Sequence, residues 1–197
     1  MAPEDRRAAI VDVVVPLLLR HGGEVTTKQI AEAAGIAEGT IFRVFPDKAA
    51  LLVAAAEETM NPSTGDGELT GALEGVTGLR ARLLVTIGVL QARSERVTAV
   101  LMALRGVWTA DGSGHRHGPP GPPHFVVEAH RALLDRLTDV LEPHRDELRV
   151  EPRAAALLLR TLVLGSRHPG ASPEAMPTAD EIADALLDGV RLRNGGR

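Results

Sequence analysis

The 197-residue chain contains no cysteine, no tyrosine and a single tryptophan. Without cysteine it can form neither a disulfide nor a thiolate metal site, so a reducing cytoplasm is the simplest setting. Long apolar runs are missing as well: the run from Val13 to Leu19 contains Pro16, and it is far too short to cross a bilayer. The N-terminus places acidic residues ahead of its apolar segment and has no small-residue cleavage pattern. We therefore expect no secretory signal and no membrane partner.

Positive charge is also scarce. The net charge is −4, and the first fifty residues hold six basic side chains against seven acidic ones. A general electrostatic attraction to nucleic acid is therefore not indicated. The chain has only two lysines, Lys28 and Lys48, and both lie between residues 26 and 48. Any function of that segment must come from the placement of individual side chains.

What the chain does contain is helical periodicity along most of its length. Apolar stripes at helical spacing alternate with breaks at glycine and proline, which predicts an all-α fold. Pro16 is expected to kink or split the first helix. Residues 61–78, with five glycines, predict a loop with at most one short helix, and residues 111–124, with four glycines and four prolines, predict a second loop. The predicted helices cover residues 3–21, 26–34, 37–45 and 48–60, then two apolar stripes over 79–108, then 125–142, a helix after Pro152, and a last helix capped by Thr178.

Residues 26–48, TTKQIAEAAGIAEGTIFRVFPDK, form the most informative stretch. They predict two short helices joined by a turn at Gly35, an arrangement that places one helix in the DNA major groove. Gly39 has no side chain, so the second helix can approach the groove closely. Thr40 and Arg43 offer a hydroxyl and a guanidinium to phosphates or base edges. Lys48 begins the following helix, whose first amides could share a phosphate with it.

This stretch resembles the TetR family of bacterial transcriptional regulators. The matching residues are Thr26-Thr27, Ile30-Ala31, Ala34-Gly35-Ile36, Gly39-Thr40-Ile41-Phe42, Phe45, Lys48 and Leu51. The resemblance implies an N-terminal three-helix helix-turn-helix DNA-binding domain over residues 1–47. It also implies a larger helical ligand-binding and dimerisation domain over residues 48–197. The expected function is that of a homodimeric regulator, usually a repressor, which binds a palindromic operator on double-stranded DNA and is released by a small molecule.

The resemblance assigns DNA contacts to individual residues of the motif. The predicted backbone anchors are Thr27, Lys28, Thr40, Phe42, Arg43 and Lys48, and the predicted base-facing residues are Glu38, Gly39, Arg43 and Val44. Three features depart from the family. It usually has tyrosine where this chain has Phe42 (and often another aromatic at Val44), a serine-like cap where it has Ala37, and no break like Pro16 in its first helix. The first two departures each remove one hydrogen bond, worth roughly 0.5–1.5 kcal/mol, so weaker phosphate anchoring is expected.

The rest of the chain carries less specific predictions. By resemblance, the helices around residues 79–141 would line a cavity, with Met102, Trp108, Phe125 and His130 as candidate ligand contacts. Few polar residues fall on the inner stripes, which favours a hydrophobic effector. The dimer interface would be a four-helix seam, although its residues could equally cover the core of one chain. These candidate seam residues are Leu158, Leu162, Gly165, Ile182, Leu186 and Val190.

Other classes of function fit the sequence less well than a DNA-binding regulator. A helical module that senses a ligand or partner without binding DNA is the main alternative, favoured by the negative N-terminal charge. The sequence shows no nucleophile elbow or phosphate loop, so neither an enzyme nor a cofactor is expected. His115, His117 and His124 share one loop, but the surrounding prolines oppose a compact metal site.

Overall fold

The computed structural model describes residues 3–110, 123–165 and 176–190, apart from the side chains of residues 3 and 108–110. Within these ranges the chain is helical and has no β-strand, as the periodicity predicted. The α-helices are α1 (Pro3–His21), α2 (Thr27–Ala33), α3 (Glu38–Val44), α4 (Lys48–Thr59), α5 (Pro62–Ala72), α6 (Leu79–Ala110), α7 (His124–Leu141), α8 (Pro152–Gly165) and α9 (Ala179–Val190). None of the described helices is long and apolar enough to span a membrane. Residues 111–122 of the second predicted loop, with His115 and His117, lie outside the described residues.

The chain divides into two compact units. The first combines Met1–Asn61 with Glu95–Val126, and the second combines Pro62–Ser94 with Val127–Arg197. Helix α6 therefore supplies its first half to the second unit and its last half to the first. The resemblance implied a different division, between a DNA-binding domain that ends at residue 47 and a ligand-binding domain after it. This functional division stays a prediction.

The first unit is built around α1. A kink or a split of α1 was predicted at Pro16, and the split does not occur: α1 runs through this residue. Pro16 is exposed, whereas Leu17 and Leu18 are buried. Burial of these neighbours holds the helix together at a position where proline usually costs about 3 kcal/mol. The core of the unit also contains Ile10, Val14, Val25, Ile30, Ile41, Phe45, Leu51, Leu52, Val100, Ala103 and Leu104.

The second unit has a core shared by α6, α7, α8 and α9. Its members include Leu79, Leu83, Ile87, Leu90, Leu137, Leu141, Ala155, Leu159, Val163, Ile182, Leu186 and Val190. Helix α9 is capped as predicted by Thr178, whose hydroxyl accepts from the Glu181 amide while the Glu181 carboxylate accepts from the Thr178 amide. Arg80 links α6 to α9 through Asp180 and Asp184, at 2.9 and 2.8 Å.

Helix α5 is longer than the sequence indicated. It covers 11 residues of the segment that was predicted to be mainly loop. Leu69 is buried and packs with Leu73 and Val140, so tertiary contacts stabilise a helix that three glycines disfavour. Gly65 itself is buried, because the Arg93 guanidinium lies where its Cβ would be.

Candidate nucleic-acid interface

The turn between α2 and α3 has the geometry that the sequence predicted. Thr26 caps α2 through a capping box, in which its hydroxyl accepts from the Gln29 amide at 3.2 Å and its amide donates to Gln29 Oε1 at 2.8 Å. Gly35 has a φ of +66°, a conformation that side chains disfavour, and this places it at the turn. Ile30 and Ile41 are both fully buried between the helices. The two helices are thus held at a defined angle by caps, turn and core together.

A side-chain hydrogen bond also joins α2 to α3. The Thr27 hydroxyl donates to Glu38 Oε1 at 2.5 Å. Glu38 is the first residue of α3, where a negative charge interacts favourably with the helix dipole. Ala37 makes no side-chain cap, as its identity required. The bond from Thr27 therefore orients the start of α3 at the point where the usual cap is missing.

Helix α3 turns one face to the core and the other to the outside. Ile41 and Phe45 are buried, whereas Gly39, Phe42 and Arg43 are exposed. Phe42 is 51% exposed despite its size. The two remaining candidates, Thr40 and Val44, are half-buried. Val44 packs against the core of the first unit, which limits its reach toward a base edge.

Gly39 has no role inside the fold that requires glycine. It lies within α3 with a helical backbone, and a Cβ added to it would meet no atom within 4 Å. A glycine at such a position costs about 1 kcal/mol of helix stability relative to alanine. Because Gly39 has no side chain, another molecule can approach the backbone of α3 closely at this point.

The two lysines of the chain differ in their surroundings. Lys28 is exposed on α2. Lys48 is half-buried, and its ammonium donates to the backbone carbonyl of Val25 at 2.5 Å. Partial burial lowers the pKa of Lys48. Lys48 thus connects the start of α4 to the residue just before the motif. Its phosphate contact stays a prediction, and the Val25 carbonyl competes with a phosphate for the ammonium group.

Comparison with known proteins agrees with this geometry. Residues 10–55 match the family model described as bacterial regulatory proteins, tetR family. The matched residues cover α2, α3 and parts of α1 and α4. The chain is similar to the nucleoid occlusion factor SlmA of Actinobacillus pleuropneumoniae, with 28% identity over 101 residues, or 50% of each chain. The chain therefore spans about half the length of the curated relatives it matches.

Solved structures share the fold over nearly the whole chain. The TetR transcriptional regulator SCO0520 from Streptomyces coelicolor is 21% identical with a TM-score of 0.62, covering 94% of this chain and 98% of its own. A transcriptional regulator from Saccharomonospora viridis, solved in complex with choline, is 18% identical with a TM-score of 0.63, covering 96% and 100%. At these identities the likenesses show a shared fold.

The predicted ligand contacts do not come together within one unit. Met102, 49% exposed, and the partly buried Phe125 belong to the first unit, whereas the exposed His130 belongs to the second. The side chain of Trp108 lies outside the described residues. A cavity of about 490 Å³ lies between α1 and α4, but none of the four residues lines it. The effector site stays a prediction.

The predicted dimer residues fall into two groups. Leu158 and Leu162 of α8 are 46% and 38% exposed, and Gly165 is exposed as well. Leu157, which the sequence analysis did not include, is 44% exposed beside them. The three candidates on α9, namely Ile182, Leu186 and Val190, are buried in the core of the second unit. These three residues therefore cover the core of a single chain, which was the alternative to a dimer contact.

Proposed function

We propose that this chain is a transcriptional regulator that binds double-stranded DNA as a homodimer and inserts α3 into the major groove. The outer face of α3 carries the proposal. It combines a bare backbone at Gly39 with an exposed guanidinium at Arg43, and the buried Ile41 on the other face fixes its orientation. A helix of seven residues, held by a second short helix across a glycine turn, has the dimensions of a major-groove reader.

Charge supports a specific binding mode over a general one. Because the chain carries a net charge of −4, its attraction to bulk DNA is weak. The exposed cations of the motif, Lys28 and Arg43, are few, so few counterions would be released on binding. We therefore expect a shallow dependence of affinity on salt, and most of the affinity should come from contacts that depend on sequence.

The homodimer in this proposal rests on α8. Leu157, Leu158 and Leu162 expose apolar surface on one helix of the second unit, and Leu158 and Leu162 are one turn apart. Contiguous exposed leucines of this kind mark a protein contact, and two copies of one helix face can pair about a twofold axis. Gly165, at the end of the helix, would allow close approach of the partner helix.

Repression and release by a hydrophobic effector are the finer part of the proposal. They are supported by the family resemblance and by the apolar inner faces of α6 and α7. The regulator from Saccharomonospora viridis, which has a similar fold, was solved in complex with choline, and this supports a small-molecule effector of some kind. A panel of apolar and charged compounds added to the protein–DNA complex tests this part: release by charged compounds alone would contradict a hydrophobic effector.

Selection from random DNA tests the central claim. The full chain is incubated with a library of random 24-base-pair duplexes, bound DNA is amplified, and enriched sequences are measured by gel shift at several salt concentrations. We expect a palindromic sequence to emerge. Leu101→Ala serves as a control, because it removes an exposed side chain outside the motif. If no sequence is enriched even at low salt, the alternative of a helical sensing module without DNA binding is favoured.

A further inference from the structure

Among the described residues, Phe42 does not belong to the hydrophobic core of the first unit. It is the largest exposed apolar side chain on α2 or α3, with 51% of its surface accessible, while its neighbour Ile41 is fully buried. The core of the first unit therefore does not use this ring. Its position on the outer face of α3 places it among the groups that would meet DNA.

The ring cannot serve as a phosphate ligand. Phenylalanine has neither a donor nor a charge, so it cannot satisfy a phosphate oxygen. Glu38 lies one helical turn before it, and the Thr27 hydroxyl holds that carboxylate in place. A fixed negative charge beside the ring repels phosphates, so this strip of α3 is poorly suited to the DNA backbone.

The surroundings of the Phe42 ring favour a contact with the base edges in the DNA major groove. Gly39 precedes Phe42 by three residues, so the two share a face of the helix. No side chain at Gly39 covers the ring, and the space around that position is open. The apolar group that the major groove displays is the 5-methyl group of thymine, and aromatic side chains can contact it.

We infer that Phe42 contacts a thymine methyl group in the major groove and makes the chain selective for thymine at that position. The inference rests on the proposed function, because it requires α3 to enter the groove. It changes the role of Phe42 from a backbone anchor, as the resemblance implied, to a specificity-determining residue.

Replacing thymine by uracil tests the inference, because it removes only the methyl group and keeps the base pair. The enriched duplex is synthesised with single thymine-to-uracil replacements along both strands, and each is titrated with the wild-type chain. We expect affinity to fall about fourfold at one position in each half-site, the size expected for one buried methyl group. Uracil elsewhere should change little, which provides the internal control.

Variants at Phe42 assign the effect to the ring. Phe42→Ala should bind the thymine and uracil duplexes equally, whereas Phe42→Leu should keep part of the preference. The exposed Leu101 provides a matched control, and Leu101→Ala should keep the whole preference. Because the wild-type titration needs no variant, the test holds even if one variant folds poorly.

Two failures are distinguishable. An enriched sequence that the wild-type chain binds equally well with thymine or uracil at every position would overturn this inference alone. A full methyl preference that survives in Phe42→Ala would overturn it too, since another residue would then contact the methyl group. If no sequence is enriched from the library, the proposed function fails and this inference with it.

Discussion

Helices α3 and α8 both expose large apolar side chains, but in different settings. On α3 one ring, Phe42, stands beside a bare glycine and a guanidinium. On α8 three leucines are exposed together, at 44%, 46% and 38%. An isolated apolar group among polar ones fits the mixed chemistry of base edges, whereas contiguous leucines fit the apolar surface of another protein. The surroundings of an exposed apolar residue therefore indicate what kind of partner it meets.

The largest effect should come from breaking the α8 surface. Leu158→Glu with Leu162→Glu places two charges in the proposed seam and should convert the dimer to a monomer. Loss of bivalent binding then lowers affinity for a palindromic duplex by about a hundredfold or more. Sedimentation and gel shift measure the two effects. Leu101→Glu adds a charge at another exposed leucine and should leave both unchanged; a double variant that stays dimeric would show that α8 is not the seam.

On α3 itself, Arg43→Ala should weaken binding to the enriched duplex by about 1–3 kcal/mol and relax the preference at one base pair. Arg43→Lys separates two possible roles, because lysine keeps the charge and loses the planar fork that suits guanine. A phosphate role predicts that lysine restores most of the affinity. Competition gel shifts with single base-pair changes measure both quantities, and unchanged affinity in the alanine variant would remove Arg43 from the interface.

Gly39→Ala should separate stability from binding. The added methyl group meets nothing within 4 Å, so the free energy of unfolding should rise by up to about 1 kcal/mol. Binding should weaken, because the methyl group holds α3 away from the groove. Gly88→Ala on α6 is the matched control: it is also helical, exposed and free of contacts, so it should stabilise the chain without changing DNA affinity. Equal binding by both variants would argue against close approach at Gly39.

The smallest expected effect compares the two lysines. Lys28→Met should reduce the salt dependence of binding by about one released counterion, because Lys28 is exposed and suited to a phosphate. Lys48→Met should leave the salt dependence unchanged and lower the free energy of unfolding by roughly 1 kcal/mol, through loss of the bond to Val25. A reduced salt dependence in Lys48→Met would instead support the phosphate role that the resemblance implied.

The parts of the fold that local chemistry determines were predictable from the sequence. Thr26 and Gln29 form the capping box, Gly35 adopts the positive φ, and Thr178 caps α9, because each feature depends on residues within a few positions. Helix α5 was underestimated because the packing of Leu69 with Val140, far apart in the chain, outweighs its glycines. Continuity through Pro16 has the same kind of cause.

The functional surfaces were predictable in type and less so in detail. The family resemblance assigned DNA contacts to Phe42 and Arg43, and the structure exposes both side chains. Spacing could not show that Lys48 bonds to Val25, because that contact joins residues 23 positions apart. It could not distinguish the exposed Leu158 from the buried Ile182 either, since both belong to apolar stripes of amphipathic helices.

Helix α6 limits how this chain can be recombined. It is a single helix of 32 residues that supplies Leu83 and Ile87 to one core and Val100 and Leu104 to the other. A chimera that takes only residues 1–61 from this chain would carry all of α2 and α3 but would lose the α6 side chains that cover the core of the first unit. A transplantable first unit must include residues 95–126 as well, so its exchange between relatives requires three crossovers instead of one.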